Sequence, residues 1–212
     1  MPPEGHPIAN AACRGVADAR GVVFARGRIE ALLRVEGSVL STSAASSTQY
    51  GVAQVRRALE IGALRALHVV FAPAEPRALL LGWVRLENRG VEPLALEYTE
   101  TWDLPSGTWS TASGACERRF GGHVFALADA SMVARAEPPS QPPARGLALD
   151  LRLALPPGAR RHLAFAYIAV PEEEDPGALV RAFRGDVGAG LERIGRSGLD
   201  VAAYRAAGRY TS

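Results

Sequence analysis

Between Leu79 and Asp103 the chain reads LLLGWVRLENRGVEPLALEYTETWD, two alternating stripes separated by a turn, and no other stretch narrows the fold class as far. Leu80, Gly82, Val84 and Leu86 take the even positions, while Arg85 and Glu87 take odd ones. That period of two belongs to a strand. Asn88-Arg89-Gly90-Val91-Glu92-Pro93 supplies turn residues. Leu94, Leu96, Tyr98 and Trp102 form a second even stripe with Glu100 inside it. The spacing predicts a β-hairpin whose return strand buries a carboxylate among aromatic rings.

The same alternation recurs along the chain. Val22–Arg26, Ile29–Glu36 and Val39-Leu40 are short extended segments, and Arg65–Ala72 alternates with apolar residues on both faces, which favours a sandwich. Ser41–Gly51 is small and polar, a loop of the length found beside binding surfaces. Pro105–Gly122, rich in Ser, Thr and Gly, is expected to be a long excursion between strands, and His123–Ala128 resumes a strand. Glu137–Gly146 contains four prolines and is expected to cross the surface without interior pairing. Leu147, Leu149, Leu151, Leu153 and Leu155 alternate with polar or small residues, and Pro156-Pro157-Gly158 turns the chain. Leu163, Phe165 and Tyr167 then predict a second hairpin.

At Pro171 the pattern changes. Three glutamates precede Asp175-Pro176, a helix start, and Leu179, Val180 and Phe183 give that helix an apolar side. Val187, Leu191 and Ile194 renew the stripe, and one more short helix is expected over Leu199–Ala207. The expected organisation is a flexible arm over 1–20, a β-sandwich over 21–170 and a helical linker or tail over 171–212. The fold class is therefore mainly β, an antiparallel sandwich with a C-terminal helical segment.

The 212 residues include 48% hydrophobic ones, enough for a real core. The net charge is +2, and every basic residue is Arg. The arginines are dispersed apart from Arg56-Arg57, Arg118-Arg119 and Arg160-Arg161, which are expected at solvated turns, so no nucleic-acid surface is expected. The N-terminal stretch lacks a basic n-region and an apolar h-region, and no apolar run of about 18 residues could cross a bilayer. A soluble, cytoplasmic protein without membrane contact is the expectation. Cys13 and Cys116 have no metal-ligand spacing and are expected to be inert thiols.

Three carboxylates are the best candidates for chemistry. Glu97 and Asp103 share the odd, solvent-facing side of their strand, six residues or about 20 Å apart, beyond the roughly 5–10 Å that paired-carboxylate glycoside hydrolysis uses. Glu100 faces inward between Tyr98 and Trp102, where an Arg partner is expected; an enzyme using Glu100 or Asp103 is the alternative. His6, His68, His123 and His162 are scattered, so no metal is expected. No phosphate loop or G-x-S-x-G turn occurs, and Cys116 has no identifiable base, so neither a cofactor nor a catalytic residue is assigned. Aromatic rings with polar edges suit sugar faces. Trp109, Trp83 and Asp103 are accordingly the carbohydrate-contact candidates, with Trp109 and the Ser41–Gly51 loop on one functional edge.

HVVFAP (His68–Pro73), LENRGVEPLALEYTETWD (Leu86–Asp103), LALPPGARRHLAFAY (Leu153–Tyr167) and the helical exit after PEEEDPGAL together resemble the N-terminal β-supersandwich, similar to the galactose-mutarotase fold, of bacterial six-hairpin glycoside hydrolases and phosphorylases. The resemblance spans roughly residues 20–185. It implies a non-catalytic sandwich that shapes or stabilises an α/α toroid, since in such enzymes the catalytic acid lies in the toroid. A helical tail with an apolar side would then associate with such a domain, with another chain, or with the sandwich itself. A stand-alone carbohydrate-binding or protein-interaction sandwich is the alternative.

Overall fold

A computed structural model of the chain describes residues 16–17, 23–25, 28–50, 54–71, 79–112, 115–131 and 136–183. The strands are β1 (Val16–Ala17), β2 (Val23–Ala25), β3 (Ile29–Val35), β4 (Ser38–Ser41), β5 (Ser47–Tyr50), β6 (Gln54–Ile61) and β7 (Leu64–Phe71). They continue with β8 (Leu79–Asn88), β9 (Leu94–Trp102), β10 (Thr108–Ala112), β11 (Ala115–Phe120), β12 (His123–Asp129), β13 (Leu147–Leu155) and β14 (Arg160–Pro171), followed by helix α1 (Pro176–Phe183). β1 and β2 pair with each other. The rest form an eight-stranded sheet, β10-β11-β12-β14-β8-β7-β6-β5, and a four-stranded sheet, β13-β9-β3-β4, with every pairing antiparallel. The expected sandwich is the observed architecture.

The core lies between the sheets and is built from the predicted stripes. Leu80, Val84 and Leu86 meet Leu94, Leu96, Tyr98 and Trp102 in one cluster, joined by Leu147, Leu149, Leu163, Phe165 and Tyr167. Both predicted hairpins, however, are sheet-to-sheet arches. β8 pairs with β7 and β14, whereas β9 pairs with β3 and β13. The chain therefore leaves one sheet at Asn88 and enters the other at Leu94; likewise it leaves β13 at Leu155 and enters the opposite sheet at β14. The two stripes of each arch face one another across the core, which buries both as well as a hairpin would. Asn88 ties the two arches together: its side-chain amide donates to Glu92 O (2.7 Å) and Leu155 O (2.9 Å), and its backbone N–H donates to Ala159 O (3.0 Å).

Other expectations also shift. Ser41–Tyr50 is a single 3₁₀ turn plus edge strand β5, with Ser41 capping the turn through Ser43 N–H, and the expected excursion after Pro105 contains the paired strands β10 and β11. The proline-rich segment forms no strand and makes one backbone bridge, between Glu137 and Asp150. All three Arg pairs lie within strands rather than at turns; Arg57 and Arg118 are buried, whereas Arg160-Arg161, at the start of β14, are exposed. Arg57 donates to Ile29 O, and Arg118 donates to Gly107, Pro143 and Gly146 carbonyls at 2.8–3.0 Å. The three carbonyls that Arg118 takes lie in irregular backbone outside the sheet ladders, and its buried guanidinium satisfies them.

The eight-stranded sheet is apolar on its outer face as well. Val69, Leu79, Leu81, Val124, Ala126, Ala166 and Ile168 form a second buried cluster, to which α1 contributes Val180 and, partly buried, Leu179. Asp175 starts α1 as predicted, its carboxylate accepting from Gly177 N–H (2.9 Å). The predicted helices beyond residue 183, most of the predicted N-terminal arm, and Cys13 and His6 lie outside the described residues.

Candidate functional site

Glu100 sits at the centre of the sandwich with none of its surface exposed, and His68 is 1% exposed. An ionised carboxylate in that setting is destabilising by several kcal/mol unless donors surround it. Three strands supply them. Tyr98, two residues back on the same face of β9, donates its phenol to one carboxylate oxygen. The other oxygen accepts from Tyr167 of β14 at 2.5 Å and lies 3.2 Å from His68 Nε2 of β7. The partners are thus a histidine and two tyrosines, not the expected arginine. His68 Nδ1 has no hydrogen-bond partner.

Aromatic packing fixes the quartet. Tyr98 stacks on Phe165 at 5.7 Å, and Trp102 meets Tyr167 edge to face at 5.9 Å. Gly82 of β8 leaves the space that the Tyr167 ring fills. Burial, and then the charge and hydrogen bond of Glu100, hold the Tyr98 phenol well above its usual 10.0. Sequence reasoning located Glu100 and its burial but missed His68, Tyr98 and Tyr167 as its partners, because they converge only once β7, β9 and β14 are stacked. Among the described residues the four polar groups are closed from solvent and meet one another inside the core.

The other candidates are separated. Glu97 is ion-paired with Arg152 (3.1 Å) and Asp103 with Arg145 (3.6 Å), both on exposed side chains. Trp109 lies on β10, half-buried against the core cluster with its indole N–H buried and without a partner. β10 and β5 are the opposite edges of the eight-stranded sheet, so Trp109 and the Ser41–Tyr50 segment do not share one edge. Cys116 is buried; burial pushes its thiol up to about 12, and its sulfur lies 3.2 Å from Ala148 O, in line with an inert thiol.

Trp83 is placed differently, on the outer face of the eight-stranded sheet. It is half-buried against the outer cluster and lies 5.2 Å from the His162 ring, tilted by 38°. Arg85, two residues on, is directly opposite His162, and Arg56 lies in the same cross-strand row as Trp83, with Val69 between them. Burial, then the charges of Arg85 and Arg160, hold the His162 imidazole below its usual 6.5. This face therefore joins an indole to a concentration of positive charge.

Elsewhere, an open cleft of about 350 Å³ is lined by turns at one end of the sandwich, including Gly62, Ala63, Gly90 and Val91, with Glu36 and Glu92 on its wall. Among the described residues, no cluster of histidine, cysteine and carboxylate side chains could hold a metal. Nor, among them, is any helix long and apolar enough to cross a membrane.

Comparison with known proteins bears on the fold. No family model matches the chain, and no curated protein matches it. Among solved structures, a polysaccharide lyase aligns with a TM-score of 0.52 and 13% identity over 85% of this chain and 35% of the lyase. A protein described as a kojibiose phosphorylase from the human microbiome aligns with a TM-score of 0.45 and 7% identity, over 74% of this chain and 24% of the other. The fold is thus a β-sandwich similar to one within the polysaccharide lyase, and this chain spans about a third of the lyase's length.

Proposed function

We propose that this chain is the non-catalytic sandwich domain of a carbohydrate-active enzyme of the glycoside hydrolase or phosphorylase type, shaping or stabilising a neighbouring α/α toroid. The observation that carries this reading is the use made of the carboxylates. Glu100 is sealed and hydrogen-bonded by core residues, while Glu97 and Asp103 are exposed and paired with arginines. No acid–base pair at the separation that glycoside cleavage needs is left among them. The docking of α1 on the outer face of the eight-stranded sheet adds support, since it carries the chain onto that face at the point where a helical unit would follow. A cytoplasmic, bacterial setting belongs to the same reading.

Two measurements test it. The purified chain should turn over no oligosaccharide, and Glu100→Gln should lower stability by about 2–4 kcal/mol in urea titrations, because an amide cannot accept from three donors as the carboxylate does. Turnover by the native chain that disappears in Glu100→Gln at unchanged Tm would make Glu100 catalytic and overturn the reading. The coding sequence around this domain should also specify a helical toroid; a clean stop after Ser212 among unrelated neighbours would leave the alternative, a stand-alone carbohydrate-binding sandwich. Trp83 beside His162 favours that alternative's sugar contact over Trp109, whose ring packs against the core.

A further inference from the structure

On the outer face of the eight-stranded sheet most charges near Trp83 are paired: Arg65 with Glu60 at 2.5 Å, and Arg160 with Glu87 at 3.3 Å. Arg85 and Arg56 differ, having no carboxylate partner among the described residues, and Arg56 Nε is buried without a hydrogen-bond acceptor. Strand geometry puts Arg85 about 7 Å from Trp83 along β8, and Arg56 about 10 Å away across two strands. His162 stands against the indole on the Arg85 side. An indole provides an apolar platform for a sugar ring, and a guanidinium provides a planar fork matched to a carboxylate. The outer face of the four-stranded sheet, by contrast, presents the ion pair of Arg152 with Glu97 and no aromatic ring.

Resting on the carbohydrate-binding alternative above, we propose that this face binds a carboxylate-bearing sugar of the uronate class, with Trp83 under the ring and Arg85 and His162 at the carboxylate. Arg56 and exposed Gln49, paired on the adjoining strands β6 and β5, extend the site toward a neighbouring sugar unit. Charge complementarity selects this occupant: a neutral glycan would leave both guanidiniums unanswered.

The test is affinity electrophoresis of the intact chain in gels containing polygalacturonate, its fully methyl-esterified form, dextran sulfate, or a panel of neutral glycans. Polygalacturonate should retard the chain, with the methyl ester about tenfold weaker, the size of effect one charge-assisted bidentate contact supplies. Arg85→Gln should weaken polygalacturonate binding about tenfold at unchanged Tm, leaving binding of the ester unaltered. Equal affinity for acid and ester, or binding to neutral glycans alone, overturns the uronate assignment while sugar binding stands. Retention by dextran sulfate equal to that by polygalacturonate, undiminished in Trp83→Ala, identifies a general polyanion surface and also overturns it. Absence of any glycan binding overturns both this assignment and the reading beneath it.

Discussion

Gly82 carries no side chain because Tyr167 occupies the space: a Cβ there would lie 2.7 Å from the phenol oxygen and 3.1 Å from the ring. That oxygen is one of the donors to Glu100, so crowding at Gly82 acts on a buried carboxylate. Gly82→Ala should therefore cost about 1–3 kcal/mol, read from the urea midpoint at unchanged m-value. Tyr167→Phe in that background should restore part of the loss by withdrawing the atom that clashes. His162 offers a second residue-scale effect. Its imidazole is held below 6.5 in the folded state, so between that lowered value and 6.5 the unfolded chain binds more protons. Stability should rise with pH through that window, and below it the gain should be absent. Tm measured from pH 4 to 8 should show this slope, and His162→Gln should flatten it.

At the scale of elements, the strands were legible and their partners were not. Alternation along Leu147–Leu155 identified β13 and the face it buries, because a period of two reports which side of a strand meets apolar surroundings. It does not report whether the next strand lies beside it or opposite it. Leu163, Phe165 and Tyr167 would be equally buried in either arrangement, and a Pro-Pro-Gly turn can end a hairpin or an arch. The side chain of Asn88 distinguishes the two, bonding to both connections at once, and that role emerges only with the three-dimensional structure. Asn88→Ala should leave the Leu155 and Glu92 carbonyls without this donor and cost about 2 kcal/mol. Hydrogen exchange should show the loss first at residues 89–93 and 156–159. The burial of Arg57 and Arg118 was illegible for a related reason: Arg118 answers carbonyls that a proline-rich segment leaves outside the ladders, and sequence alone does not bring that segment to Arg118.

For the whole molecule, the candidate site reverses the sequence-based ranking of its aromatics. Trp109, set in a polar stretch, is packed against the core, whereas Trp83, set among leucines, stands on the outer face beside His162. Local composition favoured the first because it carries no information about sheet order. Cys116, buried between the two sheets with a thiol pushed up to about 12, gives a global probe of the fold. In a Cys13→Ser background, its labelling by a disulfide reagent should match the rate or population of global unfolding across denaturant concentrations; labelling at the rate of a free thiol would contradict the sealed core.

The two arches also set the order in which the molecule can come together. β9 finds one neighbour in β3, far upstream, and the other in β13, far downstream, while its inward side chains await β14. Few of these contacts are local, and a chain built on distant contacts folds slowly, on the scale of about milliseconds to seconds. During synthesis, Tyr98, Glu100 and Trp102 emerge from the ribosome well before their partner Tyr167, so this strand and its two large rings spend that interval uncovered. Yield in the cell then depends on how that strand is sheltered until β14 arrives, more than on the propensity of any segment to form a strand.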